Sequence, residues 1–461
     1  MRGPRQSVGR AFVFNCLGVW LTGPDAGGKA RCTGARWLQI LIDGDYAHDR
    51  QGTGISTYAR TLAQALTSLG HGVSWLSGAA GGDKREPLAD AAAIVDQPPP
   101  VRGPRAWAQT AGRMAGGLTS ASVSARKVIA NATVRALSDT DGQPVHLTPE
   151  LYVRAHYRHM LLRQFTDVKV KAPVDVLHLT APLPIRMSGV KRIVTIHDLI
   201  PIRLPYTTPD NKSEFIARAR TCARESDLII TVSQASKRDI VELLDIDPAK
   251  VAVTYQSSNL EPLSAEEHAR LPAGLSRFGL TPGAYLLCVG AQEPKKNVRR
   301  LIEAYLEVDT DMPLVLAGPR GWMWDQEVGA ALAPLSDKAR ARLKFTGYID
   351  RNDLRRLYAG ACAFVYPSLY EGFGLPALEA MVAGCPVITS STSSLPEVCG
   401  EAAVYVDPFN REGIRNAIER IIADSNLRAT LTQVGKTQAE QFSFARYRTA
   451  LASAYAQLAD K

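Results

Sequence analysis

Two glutamates eight positions apart, Glu371 and Glu379, are the residues of this chain best placed to do chemistry together. Between them lie Gly372, Gly374 and Pro376. Paired carboxylates serve either as an acid–base couple or as acceptors for the hydroxyls of a polar ligand. Their setting favours ligand binding. Apolar runs at Ala361–Tyr366 and Cys385–Thr389 flank the pair, so the segment reads as strand, glycine-bearing loop, helix, strand. That order puts loop amides and a helix N-terminus at the carboxyl end of a parallel sheet, where open α/β folds bind ligands. Pro376 suits the first helical turn, because an N–H there has no partner to lose. Glu379 then falls one turn into the helix while Glu371 stays on the loop. The two carboxylates can face opposite ends of one nucleotide-like ligand.

A cationic counterpart is Lys295-Lys296, in Gly290-Ala-Gln-Glu-Pro-Lys-Lys-Asn297. Clustered cations at a helix start oppose the helix dipole, so an anion held there accounts for them better than a solvated charge pair. His197 follows the strand-like run Ile193–Ile196 at its carboxyl end and precedes Asp198. A lone histidine is usually structural, but a strand-end position beside a carboxylate favours a functional one.

These residues need a scaffold, and the chain alternates strand and helix twice. Strand-like runs at Trp37–Asp43, Val73–Leu76, Val174–Leu179, Lys191–Ile196, Leu228–Val232 and Val251–Thr254 form one series. Runs at Tyr285–Val289, Leu314–Ala317, Leu343–Thr346, Cys362–Tyr366, Val387–Thr389 and Ala403–Val406 form the next. Helical periodicity falls between them, at Ile55–Leu69, Thr208–Glu225 and Ser236–Leu244 among others. A polar link separates the two series near residue 260. The expected architecture is α/β, with two doubly wound Rossmann-like domains facing across a cleft. We expect an N-terminal domain over 37–258, a second over 259–442, and a closing helix in 443–461 that crosses back to the first.

Two regions stand outside this pattern. Residues 1–36 read as a disordered extension or a non-native start, with a short signal-like segment as the lesser alternative. Residues 78–150 are rich in Gly, Ala, Pro and Ser and read as an insertion. Between Arg102 and Arg135 this insertion carries six basic residues and no acidic one. Either it is a variable surface insertion or it lies as a basic amphipathic segment on an anionic membrane. The charge asymmetry is wider than this segment. Residues 1–250 hold 32 Lys and Arg against 22 Asp and Glu, and the remainder is near balance. An anionic partner for the first half follows: phosphate or an acidic lipid surface, and not nucleic acid, because no recognised nucleic-acid motif accompanies the charge. Seven cysteines without a C-x-x-C pair suit a reduced compartment and no zinc site. No apolar run reaches the length of a membrane span.

Five segments resemble the glycosyltransferase family 4 of the GT-B fold, in the order that family has them. They are Thr195-Ile-His-Asp-Leu199, Thr231-Val-Ser233, Gly290–Asn297, Glu371-x7-Glu379, and Gly384–Ser390 with Ser394-Leu-Pro-Glu-Val398. The resemblance covers about residues 37–458, apart from much of 78–150. It implies a retaining, metal-independent hexosyltransferase that takes its sugar from a nucleoside diphosphate and needs no cofactor. On its pattern Lys296 binds the diphosphate, Glu371 orients the sugar, Glu379 holds the ribose, and His197 contacts the donor sugar and the reacting region. The amides of Phe373 to Leu375 approach the phosphates or sugar, Gly372 and Gly374 permit that close backbone approach, and the base rests against Tyr348 and Ile349. Gly52 and Gly54 form the first domain's phosphate loop, and Lys295 stands where an Arg is common. Ala291 departs from the pattern, because many members carry an Arg there, and Arg320 is the candidate replacement.

The local wording is most similar to the mannosyltransferase-like branch that builds O-antigen and exopolysaccharide. A GDP-linked mannose or deoxyhexose is then the favoured donor, and a saccharide or lipid-linked saccharide the acceptor. The implied location is cytoplasmic, or peripheral on the inner membrane. Alternatives are a UDP-glucose-type enzyme, a GT-B nucleotide-sugar epimerase and a non-catalytic membrane scaffold of the same fold. An NAD-binding oxidoreductase is disfavoured, because Gly52-Thr-Gly54 lacks the third glycine of a dinucleotide fingerprint.

Overall fold

The computed structural model describes residues 37–44, 54–79, 104–128 and 142–458. Gln39–Lys461 is one compact unit that contains both sheets.

The first half supplies β1 (Gln39–Asp43), α1 (Gly54–Ser68), β2 (Gly72–Ser77), α2 (Pro104–Thr119), β3 (Ser122–Lys127), β4 (Val145–Leu147), α3 (Leu151–Leu162), β5 (Thr166–Val170), β6 (Val176–Leu179), β7 (Ile185–Arg186), β8 (Lys191–Thr195), α4 (Lys212–Glu225), β9 (Leu228–Thr231), α5 (Gln234–Leu244) and β10 (Val251–Val253). Among the described residues the strands run in the order β10-β9-β8-β6-β1-β2-β4-β3-β5-β7. Every neighbouring pair is parallel except β3 with β4. The central strands are buried on both faces, which is why they read as continuous apolar runs rather than alternating ones.

The second half supplies β11 (Leu286–Val289), α6 (Val298–Leu306), β12 (Leu314–Ala317), β13 (Leu343–Gly347), α7 (Arg351–Gly360), β14 (Ala363–Tyr366), α8 (Leu375–Val382), β15 (Val387–Ser390), α9 (Leu395–Cys399), β16 (Ala403–Val406), α10 (Arg411–Ala423) and α11 (Ser425–Ala439). Its sheet is fully parallel in the order β13-β12-β11-β14-β15-β16. In each sheet the strand order reverses at the first strand of the series, which has later strands on both sides: β1 between β2 and β6, and β11 between β12 and β14. Such switch points open a crevice at the carboxyl ends, and both crevices belong to the site described below.

The closing helix α12 (Phe444–Ala456) lies against α1. Its Tyr455 hydroxyl is 2.6 Å from His178 Nδ1 on β6, and His178 Nε2 is 2.9 Å from Thr195 Oγ1 on β8. Burial, with His197 nearby, pushes His178 down to about 3, so the ring is neutral and serves as a structural relay of hydrogen bonds.

The basic insertion is corrected in part. Residues 104–119 form a helix, but Ser122–Lys127 is a strand of the main sheet and was not read as one. Its Ser-Val-Ser-Ala alternation has the two-residue period of a strand, and the Arg126-Lys127 pair masked it. The segment β3–β4 therefore extends the first sheet and is not a mere surface addition. Helix α3 and strands β5 and β7 were also not read, because their short apolar runs are broken by charges. Among the described residues, no helix is long and apolar enough to cross a membrane. Cys222, Cys288, Cys362, Cys385 and Cys399 are buried free thiols.

Candidate active site

The loop after β11 and the loop after β14 carry the centre of the site. Pro294–Lys296 forms a single tight turn, and Asn297 leaves it in the left-handed region at φ 59°. Asn297 Nδ2 donates to the carbonyls of Pro367 at 2.9 Å and Pro408 at 2.7 Å, while Leu369 N donates to Lys295 O at 2.8 Å. These bonds hold the two loops together and set Lys296 beside the end of β14. Lys296 Nζ donates to Glu371 Oε1 at 2.7 Å and to Tyr366 Oη at 2.6 Å. The Tyr366 hydroxyl in turn donates to the same carboxylate oxygen at 2.8 Å. Burial works to raise the Glu371 carboxyl, but Lys296, Lys295 and the Tyr366 hydrogen bond outweigh it and hold the group below its ordinary value. Burial and the adjacent Glu371 charge push the Tyr366 phenol well up, so it stays a donor.

The glycine loop is held from behind. Ser393 Oγ accepts from Glu371 N at 2.9 Å, and Ser394 Oγ donates to the carbonyls of Glu371 and Phe373 at 2.9 and 2.8 Å. Gly374 takes φ 99°, where a side chain would be strained, and α8 starts at Leu375 with Pro376 in its first turn. The Phe373 ring is buried against Tyr255 and Phe442, so this residue offers the cleft its backbone and not its ring. Glu379 is half-buried one turn into α8 and accepts from Tyr358 Oη at 3.2 Å. Burial pushes its carboxyl up to about 7.

The first half of the chain meets this loop directly. A Cβ on Gly372 would come within 2.8 Å of the His197 carbonyl and 3.0 Å of the Asp198 side chain. His197 donates through Nε2 to Thr180 O at 3.1 Å, and its ring packs edge-on against Tyr58. Burial pulls it down to about 4, so the ring is neutral near pH 7 and Nδ1 is its acceptor. Asp198 is raised by burial, with Lys295 and Lys296 opposing and Glu371 adding to the rise.

The structure thus brings Lys295, Lys296, Glu371, Gly372 and His197 together, with Glu379 one helical turn behind the loop. Gly54 is the exposed first residue of α1, and Gly52 lies outside the described residues. Tyr348 and Ile349 follow β13, with Tyr348 exposed. Arg320 pairs its backbone with Gln292, beside Ala291, while its guanidinium lies 3.8 Å over the Trp324 ring. It therefore stands near the position of the missing Arg, engaged with an aromatic ring. A cavity of about 310 Å³ along β13, lined by Phe278, Leu280, Val315, Lys344, Phe345 and Thr346, contains none of the residues of this cluster. Among the described residues, no three His, Cys, Asp or Glu side chains are grouped to hold a metal ion.

Tyr366 and Asn297 were not singled out by sequence. Tyr366 reads as one more apolar strand residue, and only its hydroxyl matters here. Asn297 does end a quoted motif, and its left-handed φ is a conformation that asparagine favours.

Two facing Rossmann-like lobes with this strand order and a shared crevice at the strand ends define the GT-B glycosyltransferase fold. Solved structures agree on the fold. Sucrose-phosphate synthase from Thermosynechococcus elongatus superposes with a TM-score of 0.62 at 17% identity, covering 91% of this chain and 99% of that one. Anabaena HepE in complex with UDP and glucose superposes at 0.63 and 15% identity, with the same coverage. Residues 280–438 match the family described as "Glycosyl transferases group 1" and residues 124–261 the one described as "Glycosyltransferase Family 4". "O-antigen chain mannosyltransferase B" of Escherichia coli is 35% identical over 280 residues, 59% of this chain and 71% of that protein. "O-antigen chain mannosyltransferase RfbU" of Salmonella typhimurium is 28% identical, over 59% of this chain and 70% of its own length. The match to the E. coli "Serotype-specific mannosyltransferase WbdA" spans only 33% of that longer protein. The chain belongs to glycosyltransferase family 4, in its mannosyltransferase-like branch.

Proposed function

We propose that this glycosyltransferase moves a hexose, mannose or a related deoxyhexose, from a GDP-linked donor to a saccharide or lipid-linked saccharide in O-antigen, lipopolysaccharide or exopolysaccharide synthesis, with retention at the anomeric carbon. The observation that carries this is the Lys296–Tyr366–Glu371 cluster, pressed against His197 at the meeting of the two switch points. An ammonium beside a helix N-terminus suits a leaving diphosphate. Lys296, Lys295 and the amides from Gly372 to Leu375 would hold that diphosphate without a metal, with Arg320 and the Gly52–Gly54 loop adding contacts. Glu371 would accept from the sugar hydroxyls, Glu379 from the ribose, and His197 Nδ1 from a further sugar hydroxyl. The base would rest against Tyr348 and Ile349. The acceptor oxygen would bond to the anomeric carbon on the face from which the phosphate oxygen departs, and that phosphate oxygen would take the acceptor's proton. No group on the opposite face is then required.

The names of the relatives at 35% and 28% identity support mannose, and the UDP and glucose in the HepE title support the UDP-glucose alternative for the fold. An anionic inner-membrane surface suits the first half of the chain. There Met114, Leu118, Leu161 and Leu162 are exposed on α2 and α3, and the partly exposed Arg113 and Arg154 of the same helices share Glu150 as their carboxylate partner. The test is nucleoside diphosphate release from a panel of GDP- and UDP-sugars, with and without membrane extract as acceptor. GDP release that needs acceptor is expected, and Glu371→Ala should abolish it. An epimerised sugar nucleotide would favour the epimerase. Release of no nucleoside diphosphate from any donor would overturn the proposal. A scaffold, in contrast, would keep its cellular role in Glu371→Ala.

A further inference from the structure

We propose that Ser233 and Ser236, at the start of α5, are positioning residues that fix His197 on one lobe against Glu371 on the other. This rests on the glycosyl-transfer reading of the cleft. Ser233 Oγ accepts from Ser236 N at 3.0 Å, an ordinary helix cap. The same hydroxyl donates to the Gly372 carbonyl, across the cleft, at 2.6 Å. Ser236 Oγ donates to the His197 carbonyl at 2.8 Å and shares its hydrogen with the Gly372 carbonyl at 3.2 Å. Both serines are fully buried. Two hydroxyls within one helical turn therefore gather the backbone of His197 and of the residue following Glu371.

Capping alone does not explain this choice of residues. A cap needs an acceptor, and aspartate or asparagine would serve as well at 233. Aspartate could not also donate to a carbonyl when ionised. At 236 the helix uses only the backbone N–H, so alanine would satisfy it. The donor half of each hydroxyl is used by the other loops. The rest of the helix start is also tied to the second lobe. Gln234 N and Ala235 N donate to the Glu397 carboxylate at 2.7 and 3.2 Å, and Tyr255 Oη donates to it at 2.6 Å. Gly372 has no Cβ where one would meet the His197 carbonyl, so nothing props the two loops apart.

Most of the donor contacts proposed, at Lys296, Glu371 and Glu379, lie on the second lobe, with His197 and the Gly52–Gly54 loop adding to them from the first, so donor binding does not depend chiefly on the serines. Transfer does, because His197 must stand opposite Glu371, and a displacement of about 1 Å in such a site costs on the order of a hundredfold. The experiment compares Ser236→Ala and Ser236→Thr with wild type in steady-state transfer, in donor binding, and in amide hydrogen exchange over 195–199 and 371–378. Ser236→Ala should lower kcat about tenfold or more while donor affinity stays within about twofold, and Ser236→Thr should restore kcat because it keeps the donor. Exchange in both segments should quicken in Ser236→Ala and slow again in Ser236→Thr. An unchanged kcat, or loss of donor affinity in step with kcat, overturns the inference. If wild type transfers no sugar, the glycosyl-transfer reading fails, and exchange alone decides the serines: quickened in both segments supports the pinning, unchanged overturns it.

Discussion

Removing Lys296 tests the electrostatics of the site in a way that needs no substrate. In Lys296→Met the side chain keeps similar bulk and loses its charge. Glu371 is then a carboxylate only 10% exposed, retaining the Tyr366 hydroxyl at 2.8 Å and the more distant Lys295. Breaking a buried ion pair from one side costs about 3–5 kcal/mol, and the remaining hydroxyl places this case near 3. The pH dependence follows from sign. In wild type the folded Glu371 titrates below its unfolded value of about 4.3, so its contribution to stability is complete above that value and is lost as pH falls through the folded one. In Lys296→Met burial is no longer outweighed by the ammonium, and the folded carboxyl titrates above its unfolded value. The variant is then penalised at high pH and recovers as pH falls through the raised value. Unfolding by urea should show a deficit of about 3 kcal/mol at pH 8 that shrinks toward pH 5. Adding Glu371→Gln removes the stranded charge, so the double variant should be more stable than Lys296→Met at pH 8. A deficit that is flat with pH, or a double variant less stable than the single at pH 8, would refute the reasoning.

Two further predictions concern the glycine loop and the helix behind it. Glu379 is raised to about 7 by burial, and only its ionised form offers both oxygens as acceptors to the ribose hydroxyls. Donor affinity measured by calorimetry should therefore be roughly tenfold weaker at pH 6 than at pH 8, and this slope should vanish in Glu379→Gln; a slope that persists in the variant would assign the titration elsewhere. Gly372→Ala places a methyl 2.8 Å from the His197 carbonyl, closer than carbon and oxygen approach without displacement. It should lower kcat by about tenfold or more with a smaller change in melting temperature, and a fully active variant would show that the two loops are not in register during turnover.

What was legible in the sequence is what local physics forces. Buried parallel strands announced themselves as apolar runs, and Gly374 and Pro376 marked a loop-to-helix junction because few other residues tolerate that backbone. The Glu371 loop and Lys296 were found on those terms. What was not legible depends on partners distant in the chain. Tyr366 looked like one more apolar strand residue, and its role comes from Lys296, brought beside it by the pairing of β11 with β14. Ser233 read only as the end of a motif, and locally it caps a helix. Its second bond, to Gly372, exists only once the lobes meet. Arg320 shows the same limit from the other side. Sequence offered it as the cation missing at Ala291, and backbone pairing does bring it beside Gln292. Yet Trp324, four residues on, holds its guanidinium over the ring at 3.8 Å. A diphosphate would have to compete with that ring or share the cation with it. Sharing is the cheaper outcome, because a guanidinium stacked by its face keeps its edge N–H groups for hydrogen bonds in plane. Trp324 would then orient Arg320 for an anion rather than withhold it.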